Sequence, residues 1–370
     1  MNVLLFNAED LKEKAIVTRC GYKPNDSLLA FEKALLESGA VATGRTLHFS
    51  ADVVCSGGYE IWVKSIWEYA ISHVGVASPR IFVYLLKRFR ELDSLFKQYP
   101  DETLYGTNEF HTRISEIIMV LREVPRRSKL VWPKVGPETH RDGWLRTASS
   151  AADTGVLRRV WKAEGDLSSL RIAGAELLQA VTEGSTEKTL FWMRWLFEEE
   201  GRLKKETKGA FMTSISRGPH GSKDVGSFVA ELFSEAYKDY KERNIIRMDE
   251  EFQTLRRLWE GVDTRISPSS RKSILGIMAQ ILCEVPRWKV AAAPSLIKDP
   301  VQVSRAVTQS SKFFNEVLAH PAVANPTKVQ KLFRCKGESE KKKKVASTVD
   351  AKLSAYEAAM ESWMNGTGKN

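Results

Sequence analysis

Between Arg122 and Lys162 ten Lys+Arg stand against four Asp+Glu, an excess of 10 − 4 = +6 in a chain whose net charge is +10. The contributors are Arg122, Arg126, Arg127, Lys129, Lys134, Arg141, Arg146, Arg158, Arg159 and Lys162, with Trp132, Trp144 and Trp161 interleaved. Cationic side chains neutralise phosphates and release their counterions, and an exposed indole stacks on an unpaired base. The combination returns at Arg287-Trp288-Lys289, after a second Val-Pro-Arg. This pattern predicts a surface that binds DNA or RNA non-specifically, by backbone more than by sequence. Its cations are Arg126, Arg127, Lys129, Lys134, Arg158, Arg159, Lys162, Arg287 and Lys289, with Trp132 and Trp288 as stacking residues. A second reading stays open: a solvated linker whose tryptophans pin it to the flanking lobes. The run Lys341–Lys344 suits a nuclear-localisation signal, an electrostatic arm or a tail.

Other chemistry is weaker. The chain has no Walker A sequence, no HExxH, no paired CxxC and no GxSxG. The nearest thing to a phosphate loop is Ser216-Arg217-Gly218-Pro219-His220-Gly221-Ser222-Lys223. Pro219 removes a backbone donor and no strand precedes it, so a flexible surface connection is expected. His73 and His111 have no carboxylate at a triad-like spacing. The acidic runs Glu198–Glu200 and Asp249–Glu251 read as solvated charge. Trp192 and Trp195 lie three apart on an apolar face and read as core. Cys20, Cys55, Cys283 and Cys335 are scattered, which fits neither a disulfide framework nor a zinc site and predicts free buried thiols in a reducing compartment. No cofactor and no metal is expected, and the role is expected to be non-enzymatic.

These residues are positioned by helices. Apolar spacing of three and four predicts helices over Leu28–Leu36, 45–55, 61–71, 81–89 and 107–124. It does so again over 167–181, 186–205, 224–243, 248–261, 270–285 and 299–318. Asn25-Asp26-Ser27 and Ser78-Pro79 suit helix starts, and Gly57-Gly58 a break. Strand signals are confined to 3–6 and 129–132. The fold class is therefore all-α, a two-lobed multi-helical array. The expected division is an N-terminal lobe over 1–125, a basic Pro/Trp-containing connector over 126–165, a C-terminal lobe over 166–335, and a Lys-rich tail with a terminal amphipathic helix over 336–370. The segment 117–126 faintly echoes 278–287, both ending in Val-Pro-Arg, so a diverged tandem repeat of helix pairs is an open possibility.

Composition supports a folded chain. Ten Trp and sixteen Phe exceed what a disordered chain carries. The most apolar uncharged stretch, 273–283, is too short to span a bilayer, and no membrane association is expected. The first residues are followed at once by Glu9, Asp10, Lys12 and Glu13, unlike a signal peptide.

The most distinctive segment is Phe49-Ser50-Ala51-Asp52-Val53-Val54-Cys55-Ser56-Gly57-Gly58-Tyr59-Glu60-Ile61-Trp62, followed by 74–89 with Ala77-Ser78-Pro79, Tyr84-Leu85 and Arg88-Phe89. Together they resemble an uncharacterised protein family of nucleocytoplasmic large DNA viruses, found in chlorella viruses, mimivirus relatives and iridoviruses. The resemblance covers 28–124, and brings no catalytic residues. It implies a viral protein of the host cytoplasm (the virus factory) or nucleus, or one packaged in the virion. The functional expectation is a nucleic-acid-binding accessory protein of viral DNA replication or transcription. The alternative is a helical protein–protein interaction scaffold in the virion or virus factory, whose basic stretch docks an acidic protein partner.

Overall fold

The computed structural model describes residues 16–333 apart from 142, 208, 210, 289–295 and 298. The apolar segment 3–6, Lys289, the run Lys341–Lys344 and the amphipathic segment 349–364 lie outside them. The helices are α1 (Pro24–Leu36), α2 (Ala40–Val53), α3 (Tyr59–Tyr69), α4 (Arg80–Gln98), α5 (Asp101–Tyr105), α6 (Asn108–Glu123), α7 (Trp144–Ala148) and α8 (Gly155–Val160). They continue as α9 (Ser168–Thr182), α10 (Thr186–Glu206), α11 (Val225–Glu242), α12 (Asp249–Trp259), α13 (Pro268–Cys283), α14 (Pro300–Thr308), α15 (Ser310–Leu318) and α16 (Pro326–Leu332). Among the described residues the only β-pairing is two isolated bridges, Asp166 with Thr213 and Arg217 with Ser222. The fold is all-α.

Two compact units divide the chain, one holding 16–66, 87–123 and 297–333, the other 67–86 and 124–296. This differs from a division into consecutive lobes. Residues 67–86 belong with the second unit and those after 296 with the first, while 126–165 forms part of the second unit instead of a separate connector. Periodicity reveals where a helix buries a face, but not which distant segment covers it.

In the first unit, Phe31, Phe49, Trp62, Phe89, Phe110 and Phe314 are fully buried. Trp62 is central, with ring centroids 6.4 Å from Phe31 and 6.2 Å from Phe89. The distinctive segment 49–62 turns out to be architecture. α2 does not stop at the glycines but passes through a π-helical turn, Val54–Gly58, with Gly57 at φ 85°. That left-handed backbone suits glycine alone. A Cβ on Gly58 would lie 2.7 Å from the Val53 carbonyl oxygen and 2.9 Å from the Phe333 ring, so the second glycine admits that aromatic. The Cys55 carbonyl accepts from Arg19 Nε at 2.8 Å, and Ser56 Oγ accepts from the Arg19 backbone N–H at 2.9 Å. Asp52, wholly buried, accepts from the Cys20 N–H at 3.0 Å and the Ser27 hydroxyl at 2.7 Å. Ser27 therefore serves the core and does not cap α1, which starts at Pro24. Ser78 likewise makes no side-chain cap; its buried hydroxyl has no hydrogen-bond partner.

In the second unit α13 is enclosed over its last ten residues, Ile274 to Cys283, all of them buried. It packs against α9, α10, α11 and α12. In the first unit α6 occupies the same kind of position, against α1, α2, α5, α14 and α15. The echoed segments 117–126 and 278–287 thus include the buried ends of α6 and α13. The buried, largely apolar runs Ile117–Leu121 and Ile277–Cys283 are what the two segments share, and burial favours such runs in either helix.

His48 is buried beside Tyr22, its Nε2 3.4 Å from the phenol oxygen. Burial pushes its pKa down to about 4, against the favourable charge of Asp52. The unfolded chain therefore takes up a proton near pH 6.5 that the folded chain refuses until about pH 4. The contribution of His48 to stability is complete above pH 6.5 and is lost as the pH falls to 4, by about 3 kcal/mol over the interval. Denaturant unfolding at pH 7 and pH 4.5, compared between the wild type and His48→Gln, should show that slope reduced in the variant. An unchanged slope would contradict it.

Candidate nucleic-acid interface

After α6 the chain runs from Pro125 to Gly136 without regular structure. It is held by alternation. Leu130 packs on α13 at Gly276, where its methyl leaves no room for a Cβ. The Trp132 ring lies 6.2 Å from Phe197, and the Trp132 and Pro133 carbonyls accept from Arg194 at 3.4 and 2.9 Å. Around and between these anchors Lys129, Val131 and Lys134 face solvent, Val131 at 79% exposure. The strand-like signal at 129–132 thus marks an extended segment with no sheet partner.

The segment after Gly136 lies against α10. Trp144 packs 5.9 Å from Trp192 and 6.3 Å from Trp195, and the His140 ring stacks on Trp195 at 5.6 Å. His140 Nδ1 meets Glu199 Oε2 at 2.7 Å. The acidic run Glu198–Glu200 is therefore engaged, by Arg194, His140, Arg202 and Lys204 in turn. Trp192 and Trp195 are buried, as expected of core residues.

The expected site residues separate into groups. Arg126, Arg127, Lys129, Lys134, Arg158, Arg159, Lys162 and Arg287 are all exposed. Lys129 and Lys134 have no acidic partner among the described residues. Arg126 lies 5.8 Å over the Tyr69 ring. Arg127 pairs with Glu284 at 2.7 Å, and Arg287 with the same carboxylate at 3.3 Å. Arg159 pairs with Glu235 at 3.1 Å. Arg158 donates to the Asp153 carbonyl at 3.3 Å and Lys162 to the Arg159 carbonyl at 2.8 Å.

Two parts of the expectation need correction. Trp288 is 4% exposed, with the Arg287 guanidinium over its ring at 4.6 Å, so it cannot stack on a base in the folded protein. Trp132 is half-buried against Phe197, which makes it an anchor. Trp161 is likewise occupied, its indole N–H donating to the Leu167 carbonyl at 3.3 Å and Arg171 lying 5.3 Å over its ring. Arg122, counted in the basic excess, belongs to the first unit, where it donates to the Ala34 and Gly39 carbonyls at 2.8 and 3.1 Å. Aromatic residues among lysines carry the same sequence signature whether they pin a loop or stack on bases, and here they pin it.

The field of the exposed cations is felt nearby. Burial lowers the pKa of His73, and Lys129 and Arg126 lower it further. The Arg127 backbone N–H donates to the His73 carbonyl at 2.8 Å, which places this histidine beside the basic segment. His111 is elsewhere, in the first unit, with Nε2 2.6 Å from the Tyr105 carbonyl and Nδ1 3.2 Å from Ser311 Oγ. Burial pushes its pKa down despite that carbonyl. Cys55 and Cys283 are buried free thiols whose pKa values burial raises, and Cys20 is half-buried and outside any disulfide. Among the described residues no group of three or more His, Cys, Asp or Glu could hold a metal ion, and no helix is long and apolar enough to cross a membrane.

The loop 216–223 is a closed turn and not a flexible connection. Arg217 and Ser222 exchange backbone hydrogen bonds, both at 2.9 Å, and the Gly221 N–H donates to the Gly218 carbonyl at 3.2 Å. These donors are spent on the turn, so it cannot cradle a phosphate as a P-loop does. Its base is Arg217, buried, with Nη2 on Asp166 Oδ2 at 2.5 Å and Nη1 on Thr213 Oγ1 at 2.6 Å. Asp166 is the residue sequence reasoning missed. A single carboxylate near the end of a basic stretch gives no signal that its partner lies fifty positions on.

Comparison with known proteins returns no match: no family model, no curated protein and no solved structure is similar to this chain.

Arg217→Met should strand the buried Asp166 carboxylate and cost about 3–5 kcal/mol of unfolding free energy. Lys129→Met and Lys134→Met should each change it by less than about 0.5 kcal/mol. Urea titration distinguishes the two, and equal effects would show that the exposed lysines are structural.

Proposed function

We propose that the chain is a non-enzymatic nucleic-acid-binding protein that grips the phosphate backbone with the segment 126–134. One observation carries this reading. The segment is pinned by Leu130 and Trp132 while Arg126, Arg127, Lys129 and Lys134 face solvent, two of these cations having no carboxylate among the described residues. A pinned backbone with outward cations loses little conformational entropy when phosphates bind, and gains by releasing their counterions. Arg158 and Lys162 add exposed positive charge on and after α8.

Base stacking has no part in this reading, because the candidate indoles are packed. The expected binding is therefore sequence-independent and driven by charge. The resemblance of 49–62 and 74–89 to a protein family of large DNA viruses supplies its context, in which such a protein would serve replication or transcription in the virus factory or nucleus.

The triple reversal Arg126→Glu/Lys129→Glu/Lys134→Glu should weaken binding to a labelled oligonucleotide at least tenfold at about 50 mM salt in a mobility-shift assay. Arg127→Glu/Arg287→Glu reverses two cations already matched by Glu284 and should weaken it less. If the triple variant keeps its melting temperature and its affinity, the segment is not the interface. Partners that the basic segment captures after nuclease treatment would favour the scaffold.

A further inference from the structure

The second unit carries a cleft of about 540 Å³ between the 217–222 turn, the start of α11, the end of α12 and the first turns of α13. That volume falls within the range of small-molecule sites. Its walls hold five cations, Lys204, Arg217, Arg256, Arg271 and Lys272, and four carboxylates. Three carboxylates are matched: Glu200 with Lys204 at 3.0 Å, Glu231 with Arg217 at 2.8 Å, and Glu260 with Arg256 at 3.0 Å. The fourth, Asp224, caps α11 by accepting from the Ser227 N–H at 2.8 Å.

Two cations remain. Arg271 and Lys272 have no carboxylate partner among the described residues, and Arg271 Nε is buried with no hydrogen-bond partner at all. They lie early in α13, whose first turn holds no acidic residue. Cations near a helix N-terminus oppose the helix dipole. A local rule broken without compensation marks a candidate binding position. Lys272 Nζ sits 4.9 Å from the Phe197 ring centre, which occupies that aromatic. Trp259 is half-buried in the cleft, its indole edge packed on Gly226, where a Cβ would collide with it. It supplies a planar apolar wall.

Two of the amides that open α11 are already engaged by carboxylates. The Val225 N–H donates to Glu200 at 3.0 Å and the Ser227 N–H to Asp224. The groups left to hold an anion are chiefly the side chains. A guanidinium fork beside an ammonium group suits a phosphate monoester, with the fork giving paired hydrogen bonds and the lysine a point charge. The planar wall suits an aromatic ring attached to it.

We propose that this cleft binds a nucleoside 5′-phosphate, with Arg271 and Lys272 on the phosphate and Trp259 against the base. The group could come from a free mononucleotide or from the 5′ end of a strand. The site is independent of the 126–134 segment.

Calorimetric titration of the full chain tests it with adenosine 5′-monophosphate, adenosine, inorganic phosphate, and a hexanucleotide with either a 5′-phosphate or a 5′-hydroxyl. The monophosphate should bind at least tenfold more tightly than adenosine or phosphate, and Arg271→Gln/Lys272→Gln should weaken it at least tenfold. Arg271→Lys/Lys272→Arg, which keeps both charges, should retain most of the affinity. Because neither cation has a carboxylate partner among the described residues and each only packs, on Phe197 and Gly261, the Gln variant should keep a melting temperature within a few degrees of the wild type. A hexanucleotide that gains affinity from its 5′-phosphate identifies a strand end as the ligand, and one that does not identifies the free nucleotide. Lys129→Glu/Lys134→Glu should leave the monophosphate affinity unchanged, which separates this site from the basic segment. No monophosphate binding at millimolar concentration, or equal binding by the Gln variant, would overturn the proposal.

Discussion

The buried pair Asp166–Arg217 is the interaction on which the second unit's surfaces depend. Asp166 Oδ2 receives Arg217 Nη2 at 2.5 Å and the Lys162 backbone N–H at 2.8 Å, while Oδ1 receives Thr213 Oγ1 at 2.5 Å. Arg217 also donates to the Val160 carbonyl at 3.2 Å and lies 5.2 Å over the Phe228 ring. One ion pair therefore ties the end of the basic stretch to the turn that walls the cleft. A buried ion pair contributes little net stability over an apolar pair, but losing one partner is costly. Its value here is positional, because every hydrogen bond around it fixes a loop that has no helix or sheet to hold it.

The first unit has a comparable centre in Asp52 and Arg19. The π-helical turn at Val54–Gly58 releases the Cys55 carbonyl from the helix, and Arg19 takes it up. The most unusual residues of the sequence thus explain one another as architecture. They offer no exposed chemistry, which directs attention to the second unit for function.

Charge in that unit divides by partner. Arg127, Arg159 and Arg287 meet glutamates, and Arg217 lies in the interior, so part of the unit's positive charge is matched within it. Lys129 and Lys134 on the pinned segment, Arg158 and Lys162 on and after α8, and Arg271 and Lys272 in the cleft pair with no carboxylate among the described residues. The helical fold was legible in the sequence because apolar spacing at three and four reports helix faces directly, as for α10 and α11. The location of the basic excess was legible for the same reason, as composition. The role of the tryptophans was not, since Trp132 and Trp288 differ from stacking residues only by what covers them. The Arg271–Lys272 pair was also missed, although cations at the start of a helix that begins Pro268-Ser269-Ser270 were visible against the helix dipole.

The claim that phosphates meet these cations is tested most directly by the salt dependence of affinity. Fluorescence anisotropy with a labelled single-stranded oligonucleotide between about 50 and 200 mM salt reads it. Contact with three to five phosphates predicts a log–log slope of about −2 to −4, at roughly 0.7 per phosphate on a single strand. Binding that does not change with salt, or no binding at about 50 mM, would contradict it.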